Sequence, residues 1–272
     1  SGGLGTLCET LQGRVQTLDY KTVRYPGHRN IMKMLLQELG MQFDQENLKN
    51  ILRNAIPLTM QDVVLVLSKV GKVAAATTTA VLVEAFDVKS VLFTGVAGGM
   101  GANVKVGDVV VAQNFIQHDL NSAPLFPRYE VPLYGRAAFD CDPVLSALLL
   151  EAAQLGLAGV GDHFHHNLLL AAPTVHRGLI ASGDQFVCDP ANAALLRADL
   201  RAAGHEPLAV EMEGAAVAQV CHDYGLPFAA MRTISDRADA QAHLDFSAFV
   251  TQVASPYALA VVSQFIRMLP GQ

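Results

Sequence analysis

The chain lacks tryptophan altogether, and only 7% of its 272 residues are aromatic and 16% charged. Because 51% of the residues are hydrophobic, this low charged fraction excludes an intrinsically disordered protein. There is no excess of positive charge either, since the formal net charge is -6. We therefore expect neither nucleic acid nor an anionic membrane as the main partner.

Long apolar runs and paired cysteines are scarce as well. The run Val63–Leu67 is short and soon interrupted by Lys69 and Lys72, so no part of the sequence is expected to span a membrane. The four cysteines are Cys8, Cys141, Cys188 and Cys221. They form no Cys-x-x-Cys pair, which disfavours a disulfide framework and is typical of reduced thiols in a cytoplasmic protein.

The composition changes near residue 62. Residues 1–62 carry seven Lys/Arg and six Asp/Glu, whereas the remainder carries twelve and nineteen. In the first part, apolar periodicity predicts helices over His28–Leu39 and Leu48–Ala55. We expect an atypical helical segment over 1–62 and a catalytic domain over 63–272.

Strands and helices alternate in the second part. The predicted strands are Val63–Leu67, Val91–Thr94, Asp108–Ala112, Val175–Ser182, Leu208–Val210 and Phe228–Ile234. The predicted helices are Val73–Phe86, Val144–Leu155, Ala191–Ala203, Gly214–Tyr224 and Phe246–Met268, the last interrupted near Pro256. Continuous apolar strands between helices predict an α/β fold whose mainly parallel sheet is covered on both faces, a three-layer αβα arrangement.

Four motifs follow predicted strands, where an α/β sheet binds its ligands. They are TGVAGG (Thr94–Gly99), SGDQFV (Ser182–Val187), VEMEG (Val210–Gly214) and RTISD (Arg232–Asp236). In the first motif, Val96 and Gly98 belong to a segment whose glycines let the backbone approach a ligand closely; a plain tight turn is the alternative. The motif lacks the spacing of a dinucleotide-binding or P-loop sequence.

The other three motifs carry side chains suited to a nucleoside. Glu213 stands at a predicted helix N-terminus, where the dipole favours an ionised carboxylate able to accept from ribose hydroxyls, or it simply caps the helix. Asp236 can donate a proton to a ring nitrogen, or it is an N-cap aspartate. Phe186 can stack on a flat base, or it anchors its loop.

Together with KVGDVVVA (Lys105–Ala112), the order of these motifs resembles the nucleoside phosphorylase/nucleosidase superfamily. Within it, the sequence is most similar to the bacterial 5'-methylthioadenosine/S-adenosylhomocysteine nucleosidases, from about Val63 to about Pro270. The resemblance implies a mixed, mainly parallel central sheet and hydrolysis of the N-glycosidic bond with release of adenine, in methionine salvage and nucleoside catabolism. It implies no cofactor and no metal. His163, His165 and His166 cluster without a matching set of metal ligands.

The resemblance also implies catalytic roles. Asp236 would protonate adenine N7, with Ser235 steadying its carboxyl group. Glu213 would hold the ribose hydroxyls and stabilise an oxocarbenium-like transition state, with Met212 packing under the sugar.

The remaining implied roles concern binding. Phe186 would stack on adenine and the Val187 backbone would bond its edge. Glu211 and Arg232 would support the site, and Phe246 would line the alkylthio pocket.

The stretch 118–136 would meet the second subunit of a homodimer. Packing on its own domain is the alternative.

The resemblance fails in residues 1–60. The family begins with a strand and a helix whose first turn holds a glutamate that positions water, and this pattern is missing. The segments Gly5–Glu9 and Leu18–His28 resemble instead part of the saccharopine dehydrogenase-type proteins. Two alternative functions therefore stay open: a phosphate-dependent nucleoside phosphorylase, and a nucleoside-binding protein without full activity.

Overall fold

A computed structural model describes residues 63–158, 172–237 and 246–269. The chain divides into two compact units, Ser1–Val63 and Val64–Gln272, and the described residues belong almost entirely to the second. The helices predicted over His28–Leu39 and Leu48–Ala55 lie outside the described residues, and the division at residue 62 stays a prediction.

Six strands and six helices make up the described part of the chain. The strands are β1 (Val91–Gly99), β2 (Val109–Gln117), β3 (Ala138–Asp140), β4 (Val175–Ser182), β5 (Pro207–Glu211) and β6 (Phe228–Asp236). The helices are α1 (Lys72–Phe86), α2 (Pro143–Ala158), α3 (Pro190–Ala202), α4 (Gly214–Asp223), α5 (Phe246–Phe249) and α6 (Ser255–Met268), the last two joined by a π-helical turn, Val250–Ala254.

The strands form one mixed sheet in the order β3-β2-β4-β5-β1-β6, and β6 also pairs with β2. Strands β2, β4, β5, β1 and β6 therefore close into a ring, with β3 outside it. The pairs β1–β6, β2–β4 and β4–β5 are parallel, and β1–β5, β2–β3 and β2–β6 are antiparallel. The longest pairings are parallel, which confirms the predicted fold class.

Helices cover both faces of the sheet. Successive residues of a strand point to opposite faces, so neighbouring residues of β2 pack against different helices. In β2, Val110 and Ala112 join an apolar cluster with α4, whereas Val109 and Val111 join one with α2 and α6. This arrangement confirms the three layers. It also accounts for the continuous apolar character of the strands, since both of their faces are buried.

The predicted strand Val63–Leu67 is wrong. These residues form no strand, and Leu65 and Leu67 are 94% and 83% exposed. An apolar run becomes a strand only beside a partner strand, and the described residues supply none here.

Four strands, β1, β2, β5 and β6, are longer than predicted, and β2 continues to Gln117 instead of ending at Ala112. The segment Gly95–Gly99 continues β1 and pairs with β6 and, at its end, with β5, so the alternative of a tight turn is wrong. The last strand ends at Asp236 instead of Ile234.

The interruption predicted near Pro256 is confirmed by the π-helical turn directly before it, since proline removes one backbone donor from the helix. The expectation that no segment is long enough to span a membrane is wrong for Phe246–Met268, whose length and mean hydropathy of 1.3 reach that range. Its apolar residues Tyr257, Val261 and Phe265 are buried in the cluster shared with α2. These three residues form the face of the helix that packs on α2, while 28% of its most apolar stretch is buried in total.

Candidate active site

The carboxyl ends of four strands meet in one row across the sheet. β4 and β5 run parallel, with Ser182 opposite Glu211. β5 then meets β1 tail to tail, so that Val210 lies opposite Gly98, which lies in turn opposite Asp236 of β6. Val210 and Asp236 are therefore two strand spacings apart, or roughly 10 Å. The glycine-rich end of β1 separates two acidic strand ends.

The end of β1 is glycine because its neighbours pack tightly against it. A Cβ at Gly99 would lie 3.1 Å from Ile234 Cγ2, and Gly98 is buried between β5 and β6. Val96, two residues earlier in β1, is partly buried and packs against the apolar cluster that contains α2 and α6. The backbone of Gly98 thus forms the floor between the two acidic ends.

Glu211 is the centre of a buried hydrogen-bond network. Its Oε2 accepts from Arg232 Nη2 at 2.6 Å, and both carboxylate oxygens accept from the Gly214 N–H at 2.9 Å. The Ser182 hydroxyl donates to Oε1. The side chains of Arg232 and Glu211 are 1% and 2% exposed, and the guanidinium lies 4.1 Å from the centre of the Phe93 ring.

Glu211, and not Glu213, therefore caps the N-terminus of α4. The Glu213 side chain makes no capping bond; its Oε1 accepts from the Gly71 N–H at 2.9 Å, at the start of α1. Glu213 does occupy the N-cap position of α4, but its side chain makes no capping bond, because the Glu211 carboxylate accepts from the Gly214 N–H instead.

The surroundings of Glu213 raise its pKa, whereas the helix N-terminus considered in the sequence would lower it. Burial is the largest influence and raises its pKa, and the nearby Glu211 carboxylate raises it further. The Gly71 N–H and the Arg232 charge act to lower the pKa but do not compensate. Burial and the Glu211 charge therefore outweigh the hydrogen bonds and the positive charge that favour the ionised form of Glu213.

Asp236 is the last residue of β6 and is 8% exposed. The Ser235 hydroxyl lies 2.7 Å from Asp236 Oδ2 and donates a hydrogen bond to it. Within the described residues Asp236 ends a strand and begins no helix, which disfavours the N-cap alternative. A buried carboxyl group at a strand end, held by a neighbouring hydroxyl, is placed to exchange a proton with a ligand above Gly98.

Of the predicted base-binding and sugar-binding side chains, Phe186 and Met212 lie on the loops that follow β4 and β5, whereas Phe246 begins a helix. Phe186, in the loop after β4, is 53% exposed, and Phe246, at the start of α5, is 39% exposed. Val187 packs partly buried against the core, and Met212 is partly buried between the two glutamates. The two phenyl rings are thus available to a ligand.

Two contributors to the site escaped the sequence analysis. Ser182 bridges Glu211 and the Ala215 N–H, which donates to its hydroxyl at 2.8 Å. Gly71 supplies the N–H bound by Glu213 and has φ 90°, a backbone conformation that favours glycine. In the sequence, the serine of the SGDQF motif could have indicated the role of Ser182, and a glycine directly before a predicted helix could have indicated that of Gly71.

Among the described residues, no group of three or more His, Cys, Asp or Glu side chains could hold a metal ion. His163, His165 and His166 lie outside the described residues. A cavity of about 420 Å³ lies elsewhere, between the end of α2 and the start of β4. Its lining among the described residues consists of apolar side chains with Gln154 and Thr174.

The stretch 118–136 packs largely on its own domain. Tyr129 is fully buried, and the Tyr134 hydroxyl donates to Asp223 at 2.8 Å. Leu125 and Leu133, in contrast, are 85% and 93% exposed. The two tyrosines thus pack on their own domain, as in the alternative to a subunit contact, while the two leucines form an exposed apolar surface.

The comparisons with known proteins agree on one family. The family model of the phosphorylase superfamily matches residues 50–267. The 5'-methylthioadenosine/S-adenosylhomocysteine nucleosidase of Shewanella denitrificans is 35% identical over 205 residues, covering 75% of this chain and 80% of the relative. The family match begins at residue 50, before the start that the motifs had indicated near Val63. The resemblance of residues 1–60 to saccharopine dehydrogenase-type proteins stays a prediction.

Solved structures give the same result. The Neisseria meningitidis 5'-methylthioadenosine/S-adenosylhomocysteine nucleosidase, in complex with methylthio-immucillin-A, is 35% identical with a TM-score of 0.64. The alignment covers 75% of this chain and 80% of that one. Futalosine hydrolase of Helicobacter pylori is 33% identical with a TM-score of 0.62, covering 74% and 78%.

Proposed function

The chain belongs to the phosphorylase superfamily and, within it, to the 5'-methylthioadenosine/S-adenosylhomocysteine nucleosidase family, and we propose that it hydrolyses the N-glycosidic bond of these two nucleosides, releasing adenine. One observation supports this most directly. The strand ends that carry Glu211-Met212-Glu213 and Ser235-Asp236 flank the glycine floor of β1. A nucleoside laid over Gly98 would have its sugar toward one carboxylate and its base toward the other.

Asp236 is the proposed general acid. Protonation of adenine N7 makes the base a neutral leaving group, and the bond to the sugar carbon then breaks with its electron pair on the base. The Ser235 hydroxyl donates to Oδ2 of this carboxyl group and so helps to orient it at the end of β6.

Glu213 is the proposed partner of the sugar. Its carboxylate accepts from the ribose hydroxyls and stabilises the positive charge that develops as the base departs. Glu211 and Arg232 neutralise each other below it and fix the start of α4. Met212 packs under the sugar, Phe186 stacks on the base, the Val187 backbone bonds its edge, and Phe246 lines the alkylthio pocket.

A second candidate is hydrolysis of a different nucleoside. The similarity to Helicobacter pylori futalosine hydrolase, 33% identical over most of the chain, favours it. Futalosine assayed beside methylthioadenosine separates the two candidates through the ratio of their kcat/KM values.

Adenine release from methylthioadenosine, measured with and without phosphate, tests the proposed reaction. We expect release in phosphate-free buffer and no acceleration by phosphate. A strict requirement for phosphate would identify a phosphorylase instead. Binding of methylthio-immucillin-A without any turnover would identify a nucleoside-binding protein that lacks a group to position water.

We also propose that the protein is a cytoplasmic homodimer. The exposed Leu125 and Leu133 in the stretch 118–136 support a second copy as the partner of this surface. The free thiols Cys141, Cys188 and Cys221 support a reducing compartment.

A further inference from the structure

The first turn of α1 is held by carboxylates from two separate loops. α1 follows Gly71 and has no side-chain cap of its own. The Gly71 N–H donates to Glu213 Oε1 at 2.9 Å, and the Lys72 N–H donates to Asp184 Oδ1 at 2.8 Å. Glu213 precedes α4, and Asp184 lies in the loop after β4 that carries Phe186. One helix terminus thus contacts both the sugar side and the base side of the site.

The Lys72 side chain adds a second connection between the start of α1, the loop after β4 and α4. Its ammonium donates to Asp119 Oδ1 at 2.6 Å and to Gln117 Oε1 at 3.0 Å. Asp119 Oδ2 in turn accepts from the Asp184 N–H at 2.9 Å. Gln117 Nε2 donates to Gln219 of α4 at 2.9 Å. Lys72 is therefore connected to α4 through Gln117 and to the base loop through Asp119.

The surroundings make this ion pair stronger than a surface pair. The side chains of Lys72 and Asp119 are 17% and 20% exposed, so water screens them less than an exposed pair. Burial acts to raise the pKa of Asp119, but the hydrogen bonds from Lys72 and the Asp184 N–H outweigh it and lower the pKa below its usual range. Asp119 is thus held ionised against Lys72.

We propose that Lys72 is a positioning residue that couples the base-binding loop, residues 184–187, to the ribose-binding carboxylate of Glu213. The proposal rests on the proposed function of the site. Lys72 touches neither base nor sugar. It sets the distance between the two halves, so a ligand that spans both halves depends on Lys72, whereas a ligand that fills one half does not.

The test replaces Lys72 by Met and measures binding of adenine and of methylthio-immucillin-A, together with kcat and KM for methylthioadenosine. Misplacement by about 1 Å can cost on the order of 100-fold, so kcat/KM and the affinity for methylthio-immucillin-A should fall roughly 10- to 100-fold. The affinity for adenine alone should stay unchanged. Lys72→Arg should recover part of the loss, since it keeps the charge that faces Asp119.

Lys89→Met is the matched control. Lys89 forms an ion pair of similar length with Asp87, 2.7 Å, but the two side chains are 80% and 87% exposed. This control should leave all four measurements unchanged. Asp119→Asn serves as a second variant if Lys72→Met does not fold, and it should show the same selective loss to a smaller extent.

An equal loss of adenine and methylthio-immucillin-A binding in Lys72→Met would overturn the coupling, as would kinetics indistinguishable from Lys89→Met. Failure of the proposed function gives a different result, an inactive wild-type enzyme. The ratio of the two binding affinities still tests the coupling in that case, because binding needs no turnover.

Discussion

A carboxyl group that is half-buried beside another carboxylate resists ionisation, and Glu213 is such a group. Its pKa is raised mainly by burial, and the nearby Glu211 adds to the effect. A raised pKa in the folded state means that folding favours the protonated form. The stabilising contribution is therefore complete below the unfolded value of about 4.3 and is lost as the pH rises through the folded value. At a pH above its folded pKa, the ionised Glu213 side chain therefore lowers the free energy of unfolding, although the proposed mechanism needs it as a carboxylate.

Glu213→Gln should remove this cost. Glutamine keeps an oxygen that can accept from the Gly71 N–H, but it has no charge to bury. We expect the free energy of unfolding to exceed that of the wild type at neutral pH, with the difference fading toward pH about 4. Urea denaturation at the two pH values measures it, with the exposed Glu151→Gln as control. A variant less stable than the wild type at neutral pH would contradict the expected charge effect.

The sequence predicted which carboxylates matter but not how they are held. VEMEG and RTISD placed Glu213 at the start of a predicted helix and Asp236 after a predicted strand, because apolar runs and the acids after them are visible locally. The bond from Gly71 to Glu213 spans 142 residues, and the pairing of Glu211 with Arg232 spans 21. Periodicity contains no information on such contacts, so the ion pair that buries Glu211 and the raised pKa of Glu213 were missed.

At the scale of elements, the start of α4 depends on close approach to β2. A Cβ at Gly214 would lie 2.1 Å from Cε1 of Phe115, whose side chain is fully buried. No real side chain fits at that distance, so the helix can begin here only with glycine. The same contact fixes where Glu211 and Glu213 stand relative to the sheet.

Gly214→Ala should therefore destabilise the protein by overpacking, by about 1–3 kcal/mol. The companion change Phe115→Leu removes ring atoms from the contact. The double variant should lose less stability than the sum of the two single variants, as expected for residues in contact. Thermal unfolding of all four proteins gives the comparison. Strict additivity would show that the contact with Phe115 is not the cause.

The helix predictions succeeded where the composition favours a helix over a long segment. Helices α1, α2, α3 and α4 were predicted to within about three residues, because each is rich in alanine, the strongest helix former. The strand Val63–Leu67 failed because pairing needs a neighbour that local sequence does not reveal. The strand β3 was not predicted, since three residues carry no usable alternation.

At the scale of the whole molecule, the stretch 118–136 combines buried anchors with exposed tips. Tyr129 and Val131 are fixed in the core, whereas Leu125 and Leu133 face outward. Anchored loops that present apolar side chains are suited to a protein interface. The proposed homodimer uses this surface.

Leu125→Glu combined with Leu133→Glu should shift the protein from dimer to monomer and lower the turnover of methylthioadenosine. Burying two carboxylates without partners opposes association. Sedimentation velocity and the nucleosidase assay at one concentration measure both effects. Leu259→Glu, at a position 71% exposed on α6, is the control. A double variant that remains a dimer would place the interface elsewhere.

The most direct test of the account is adenine release by Asp236→Asn. Asparagine keeps the size of the side chain but cannot deliver the proton, so kcat should fall by roughly 100-fold or more. Asp87→Asn, at an exposed position, should match the wild type, and all three proteins should still bind methylthio-immucillin-A. Release by Asp236→Asn at the rate of the Asp87→Asn control would show that Asp236 is not the acid, and the proposed mechanism would be wrong.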